Sequence, residues 1–346
     1  MPSLARIIPV RYEEAGYESY RQLLKVGEDF QAPLPELDPG EDLFLILYTS
    51  GTTGKPKGTM LTHRNAVEIA MIAGEKSRCT PADVFLIPVP VFHVMGLMFV
   101  LKTVAFHGRM VMMESYKADQ ALALIQEERI TVHPGVPAMF ILELNHPDFA
   151  SFDLSSLRTG EMAAAPCPVE IVRRIRSEMG CDVLVCYGLT ETAANLTMTD
   201  FMDEDHLRAE TVGRAIPGVE LKVVNDQRQE VPPGEVGELA CRSMGLMKGY
   251  YNMPDQTKEA VDEDGWFYTG DLVTNDSEGY VRIVGRKKDM IIRGGYNIYP
   301  RETEEVFYTH PSVMEIAIVG LPDSVLGEIS CAAVRPKPGA AGKPPC

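Results

Sequence analysis

The sequence has little of what marks a secreted, membrane-embedded or nucleic-acid-binding protein. Its seven cysteines, at 79, 167, 181, 186, 241, 331 and 346, are odd in number, scattered, and without a C-x-x-C pair. A disulfide framework is therefore excluded, and a reduced, cytoplasmic chain is expected, with Cys181 and Cys186 as core thiols. No apolar run reaches membrane-spanning length; the most apolar segment, Val94 to Phe106, is short and carries Lys102. The first residues lack the basic start and apolar run of a signal peptide. Positive charge is scarce: 33 Lys and Arg face 49 Asp and Glu, a net charge of −16. That balance excludes nucleic acid and an anionic membrane surface as partners. It also requires any anionic ligand to be drawn by a local cluster of donors, because the overall field repels it. An ordinary P-loop is missing too. That motif places four residues between its first Gly and its Gly-Lys pair, whereas Gly51 and Gly54 are separated by only two.

At 346 residues there is room for roughly two domains. From 43 to about 188, strand-like runs (43–48, 84–88, 109–113, 130–133 and 182–187) alternate with helical patterns (63–77, 94–106, 118–128, 137–145 and 168–179). Thr62 suits the N-cap of the first helix, and Pro166 or Pro168 the opening turn of the last. This alternation predicts an α/β fold with a mostly parallel sheet, whose ligands sit at the carboxyl ends of strands. After about 211 the texture changes to short runs at 219–224, 236–242 and 280–284, separated by turns such as Pro232-Pro233-Gly234 and Asp264-Gly265. These predict a smaller antiparallel β region. A third segment follows Gly285, with strand-like 289–292, a Gly294-Gly295 turn, a helix over 300–309 and a strand over 313–319. Arg335 to Cys346, rich in proline, is expected to be exposed and poorly ordered.

Residues 49–58 read Thr-Ser-Gly-Thr-Thr-Gly-Lys-Pro-Lys-Gly, directly after the apolar run Leu43 to Tyr48. A buried strand that empties into glycines, hydroxyls and lysines is suited to phosphate. Glycine lets the backbone N–H groups approach an anion, Ser and Thr add donors, and Lys adds charge.

Five stretches in one order make the reading specific. They are Tyr48 to Gly58, Pro90-Val91-Phe92-His93-Val94-Met95-Gly96, Tyr187-Gly188-Leu189-Thr190-Glu191-Thr192, Gly265 to Asp271, and Gly285-Arg286-Lys287-Lys288-Asp289 with Gly294-Gly295. Together they resemble the signatures of the AMP-forming acyl-adenylate superfamily, which includes acyl-CoA synthetases, peptide-synthetase adenylation domains and luciferases. The resemblance covers about 43 to 336. It implies a large N-terminal domain over 1–285 with mostly parallel sheets flanked by helices, including a small β-barrel-like region over 211–285. A small α+β C-terminal domain would follow over 286–346.

The resemblance also assigns roles. Thr49, Ser50, Gly51, Thr52, Thr53, Gly54 and Lys57 would grip the β- and γ-phosphates of ATP and release pyrophosphate. Tyr187 and Gly188 would face the adenine, Thr190 would donate to the α-phosphate, and Glu191 would hold Mg²⁺ against phosphate oxygens. Asp271 would accept the ribose hydroxyls, with Arg286 completing the ribose and phosphate contacts; alone, a turn aspartate is more often structural. Lys287 reads as a solvated base, while Lys288 falls on the hinge about which the small domain swings between half-reactions. Gly295 resembles the glycine that leaves room for the pantetheine arm of coenzyme A, with a plain turn glycine as the alternative. His93 matches a gate beside the acyl carboxylate, although a lone His among apolar residues is commonly a satisfied core histidine. Gly160, Ala163 and Ala164 match the acyl-pocket region, where a small pair often carries Gly in place of Ala. Glu161, a charge where an apolar residue is expected, is taken to face solvent.

The implied activity is that of an acid–thiol ligase most similar to medium-chain acyl-CoA synthetases. A carboxylic acid and ATP·Mg²⁺ would give an acyl-adenylate and pyrophosphate, and coenzyme A would then take the acyl group. The family carries further sequence ahead of the Gly/Thr loop, and its catalytic lysine falls after the point where this sequence stops. The chain therefore reads as an internal fragment, with impaired adenylation and a tendency to self-associate through an uncovered apolar surface. The alternatives are a non-catalytic nucleotide-binding piece or half of a split enzyme, and a peptide-synthetase adenylation domain, which would need a carrier domain not seen here.

Overall fold

The computed structural model describes residues 8–10, 16–27, 33, 35–49, 56–163, 169–308, 310 and 312–337. The chain divides into two units, Met1–Asp38 and Pro39–Cys346. In the first, helix α1 (Tyr20–Gly27) is the one described helix.

Strand β1 (Leu43–Thr49) and strand β2 (Lys57–Thr62) form an antiparallel hairpin, with Tyr48 opposite Gly58 and Thr49 opposite Lys57. Thr49 and Lys57, on either side of the Gly/Thr segment, thus close an antiparallel pair. Strand β1 is not buried as expected: Leu43, Phe44 and Tyr48 are all exposed. Helix α2 (His63–Lys76) starts on Thr62, whose hydroxyl accepts from Asn65 N–H while the Asn65 side chain accepts from Thr62 N–H. Two backbone donors at the helix start are satisfied in that exchange.

The parallel layer follows. Strand β3 (Val84–Ile87), helix α3 (Val94–Ala105), strand β4 (Arg109–Met112), helices α4 (Ala118–Glu127) and α5 (Pro137–Leu144), strand β5 (Thr159–Met162), helix α6 (Val169–Glu178) and strand β6 (Asp182–Tyr187) follow in order; the five helices from α2 to α6 and strands β3, β4 and β6 fall where the sequence predicts them. Strands β3 and β4 pair in parallel, as do β5 and β6. The expected strand at 130–133 shrinks to single pairings of Val132 with Phe85 and Thr159, which join the two halves. Strand β5, Thr-Gly-Glu-Met, has no apolar run to mark it in the sequence and is held by its pairing with β6. Along β6 the side chains alternate between two cores. Leu184 and Cys186 pack with α2 and α3, whereas Val183 and Val185 pack with α4, α5 and α6. A strand buried on both faces needs apolar residues at successive positions, which Val183-Leu184-Val185-Cys186 supplies.

Strand β7 (Thr197–Met198) continues this layer antiparallel to β6, followed by α7 (Asp205–Glu210) and β8 (Arg214–Ala215). Next come β9 (Glu220–Val224), β10 (Gly237–Arg242), β11 (Gly249–Tyr250), α8 (Pro254–Ala260), β12 (Phe267–Asn275) and β13 (Val281–Arg286). Strands β13, β12, β10 and β9 form an antiparallel sheet in that order around Val223, Leu239, Val273 and Val281. Strand β11 returns to pair with β2, bringing Tyr250 beside the Gly/Thr hairpin.

After Arg286, β14 (Ile291–Arg293), β15 (Tyr296–Ile298), α9 (Pro300–Tyr308), β16 (Val313–Asp323) and β17 (Gly327–Pro336) make a separate sheet in the order β15, β14, β17, β16. Its own core holds Ile291, Val313, Ile316 and Ile318. Arg335 and Pro336, expected in a loose end, belong to β17, where Arg335 pairs with Glu315 at 3.1 Å. Residues 338–346 lie outside the described residues.

Candidate active site

Strand β6 ends at Tyr187, and the turn that follows it is dense. A Cβ on Gly188 would stand 1.9 Å from the Ala194 carbonyl oxygen, so only glycine lets the chain fold back there. Ala193 and Ala194, with φ of 52° and 83°, are left-handed without being glycine. Such strained backbone is found where geometry is fixed for function. The turn presents Thr190 and Glu191 to a cleft of about 1660 Å³.

Around that cleft stand residues from distant parts of the chain: Thr49, Lys57, His93, Tyr187, Thr190, Glu191, Asp271, Arg286 and Lys288 all line it. Asp271, 5% exposed, lies opposite Arg286 across β12 and β13. Its Oδ2 accepts from the Tyr187 hydroxyl at 2.7 Å, and its Oδ1 is 3.2 Å from Arg286 Nε. Burial pushes the Asp271 carboxyl up from its ordinary value, against the opposing pull of Tyr187 and Arg286. A carboxylate has about four lone-pair sites, so a diol could still be accepted beside these partners.

Glu191 is nearly buried, and its Oε1 accepts from the Tyr250 hydroxyl at 2.9 Å. The Lys57 ammonium stands over the Tyr250 ring, 4.9 Å from its centroid. Tyr250 therefore ties the hairpin to the Thr190–Glu191 turn. Sequence reasoning missed it, because its strand is two residues long and carries no periodic signal. Among the described residues there is no group of three His, Cys, Asp or Glu side chains able to hold a metal ion.

His93 is exposed at the cleft and so is not a core histidine. It caps α3, its Nδ1 accepting from Met95 N–H at 3.2 Å, which leaves Nε2 as the protonated nitrogen of the neutral ring. Ala163 lines the cleft. Gly160 is buried behind that wall, where a Cβ would stand 1.9 Å from the His133 carbonyl oxygen; close strand packing accounts for this glycine. Lys287 is exposed, as a solvated base is, and bridges Asp226 at 2.9 Å and Glu238 at 3.1 Å. Gly295 has φ of 85° in the turn between β14 and β15, with no atom within 4 Å of a built Cβ. Its positive φ requires glycine there; no close neighbour does. Glu161, expected in solvent, is 2% exposed and paired with Lys102. Ser50, Gly51, Thr52, Thr53, Gly54 and Ala164 lie outside the described residues.

A family model described as AMP-binding enzyme matches residues 5–251, and one described as AMP-binding enzyme C-terminal domain matches 302–344. The chain belongs to the AMP-binding enzyme family. It is 46% identical over 307 residues to the putative acyl-CoA synthetase YngI of Bacillus subtilis, covering 88% of this chain and 56% of that protein. To the human mitochondrial medium-chain acyl-CoA ligase ACSF2 it is 40% identical over 303 residues, covering 85% and 49% respectively. The chain thus spans about half the length of these curated relatives. Among solved structures, ATP-bound MatB from Rhodopseudomonas palustris superposes with a TM-score of 0.80 at 35% identity, covering 87% of this chain and 59% of that one. The o-succinylbenzoate CoA synthetase of Bacillus subtilis, solved with its acyl-adenylate intermediate, gives 0.77 at 30% identity, covering 84% and 59%. This member of the AMP-binding enzymes is a mixed α/β protein, and no described helix is long and apolar enough to cross a membrane.

Proposed function

We propose that this chain carries the nucleotide and acyl sites of an AMP-forming acyl-CoA ligase. The single observation that carries the reading is the convergence of Lys57, Thr190, Glu191, Asp271 and Arg286 on one cleft, although they lie far apart in sequence. Asp271 takes the ribose hydroxyls of ATP, and Arg286, already beside it, reaches the ribose and α-phosphate. Thr190 donates to the α-phosphate. The Gly/Thr hairpin, with Thr49 and Lys57, holds the departing pyrophosphate.

One carboxylate, Glu191, faces the phosphates, and this fits Mg²⁺, which commonly binds through one or two carboxylates together with substrate phosphates. When bound, the ion neutralises phosphate charge. Glu191 would be its protein ligand, held in place by Tyr250.

The acid lies along Met98, Phe99, Ala163, Val185 and Cys186, which line the cleft. His93 stands at the mouth, where its Nε2–H can donate to the acyl carboxylate. The first step needs no side-chain nucleophile: the carboxylate attacks the α-phosphorus, pyrophosphate leaves, and the enzyme supplies positioning and charge stabilisation. Lys288, on the link between the β13 sheet and the β14–β17 sheet, is the hinge. Lys287, anchored to Asp226 and Glu238, fixes the near side of that hinge. Rotation about Lys288 then brings Gly295 to the path of the coenzyme A arm.

The test is calorimetric titration of the chain with ATP, with and without Mg²⁺, followed by assay of AMP release on adding medium-chain acids and coenzyme A. Mg²⁺-dependent ATP binding is expected. Absence of ATP binding would overturn the proposal, and binding without AMP release would limit this chain to nucleotide binding.

A further inference from the structure

The interior of the acyl cavity is not uniformly apolar. Lys102, in the last turn of α3, is 0% exposed, and Glu161, on β5, is 2% exposed. The two form a direct ion pair between helix and sheet. A buried pair of this kind is no better for stability than apolar residues of the same volume, because each charge loses its water. Its presence beside Met98, Phe99, Ala163 and Val185, which line the same cleft, therefore calls for a reason beyond packing.

The two ends of the pair are placed differently. Lys102 is covered: its ammonium stands 4.0 Å from the centroid of the Phe99 ring and does not line the cavity. Glu161 does line it. The carboxylate's Oε1 takes the Lys102 ammonium and the Ser77 hydroxyl, the latter at 2.7 Å. Its Oε2 faces the Cys186 thiol at 3.8 Å, a weak donor that leaves acceptor capacity over. Cys186 also lines the cavity. An alkyl tail packed here would cover that oxygen without giving it a partner, which is costly for a charged group. A cationic tail would add a charge to a pair that is already balanced. An uncharged donor satisfies both conditions.

Resting on the ligase reading above, we propose that Glu161 selects the tail of the acid. The cavity takes a carboxylic acid whose chain carries a hydroxyl or comparable uncharged hydrogen-bond donor, accepted by the Glu161 carboxylate. Lys102 is the positioning residue, balancing the charge and fixing the carboxylate from the side away from the ligand, with Ser77 as its second support.

The probes are acyl-sulfamoyl adenosines, stable mimics of an acyl-adenylate, titrated calorimetrically into the full chain. One carries a plain medium-length acyl chain, and the others carry the same chain with one hydroxyl stepped along it. At least one hydroxylated probe is expected to bind about tenfold tighter than the plain one, the gain of a hydrogen bond to a charged acceptor. The triple variant Ser77→Ala, Lys102→Met, Glu161→Leu replaces the cluster by an apolar one and should fold, since such replacements of buried pairs are tolerated. It should reverse the preference in favour of the plain chain. Glu161→Gln, which keeps an acceptor, should reduce the preference without reversing it. Equal or tighter binding of the plain probe by the wild type would overturn the inference and leave the ligase reading intact, as would a preference that survives in the triple variant. Failure of ATP and every probe to bind would overturn the ligase reading, and this inference with it.

Discussion

The hydroxyl of Tyr250 donates to Glu191 Oε1 at 2.9 Å, joining two residues that are far apart in sequence. Both are nearly buried, so the bond is shielded from competing water. Burial, and then the nearby Glu191 carboxylate, push the Tyr250 phenol above its ordinary value. Tyr250→Phe keeps the ring under Lys57 and removes the donor. Glu191 would then be free to rotate away from the phosphates. The Mg²⁺-dependent part of ATP affinity should fall about tenfold, while Mg²⁺-free binding changes little. Titration of wild type and variant with ATP under both conditions checks this. An unchanged response to Mg²⁺ would show that Tyr250 does not position Glu191.

Asp271 is the second prediction. Its carboxylate is held by Tyr187 and Arg286 and has acceptor sites to spare for a ribose diol. Wild type should prefer ATP to 2′,3′-dideoxy-ATP by about tenfold or more, the worth of hydrogen bonds to a charged acceptor. Asp271→Asn should bind the two nucleotides with similar affinity. Competition binding measures the ratio directly, and a preserved preference in the variant would place the ribose elsewhere.

Gly188 has no room for a side chain beside the Ala194 carbonyl. Gly188→Ala should force the 188–194 turn apart and displace Thr190 and Glu191. A loss of about 1–3 kcal/mol in stability is expected, as for an overpacked site, together with loss of ATP binding. Urea denaturation and titration measure the two effects. Full retention of both would mean the turn yields without consequence for the site.

The sequence patterns made the parallel layer legible because its signals are local. Val183 to Cys186 is continuously apolar, and Thr62 precedes a helical repeat with Asn65 three residues on. The proposed nucleotide site was legible through motif chemistry, and Asp271, Arg286, Thr190 and Glu191 do share one cleft. What sequence could not show was pairing between distant residues. Tyr250 reaches Glu191 because β11 joins β2, and Lys102 is buried because Glu161 stands opposite it. A lysine in an apolar run and a glutamate beside small residues each look like exceptions until the fold brings them together. Strand β17 was missed for a related reason: it is stabilised by its long ladder with β16 rather than by its own pattern.

Asp83 yields a prediction about pH. It is 3% exposed and joins three parts of the parallel layer. Thr80 N–H donates to Oδ2 at 2.7 Å, the Thr131 hydroxyl to Oδ1 at 2.7 Å, and Arg158 Nη2 to Oδ2 at 2.8 Å. Burial alone would push this carboxyl up. The donors from Thr131, Thr80 and Arg158 outweigh burial and leave it below its ordinary value of 3.8. The folded state therefore holds the proton less tightly than the unfolded chain. Stability from this group is fully present above 3.8 and is lost as pH falls through the lower, folded-state value. Asp83→Asn should cost about 2 kcal/mol at neutral pH, a figure held down because Arg158 is partly exposed to solvent. The gap between wild type and variant, measured by urea denaturation, should narrow as pH drops from about 5 towards about 3. A gap that stays constant across that range would mean that the charge on Asp83 contributes nothing to holding the layer together.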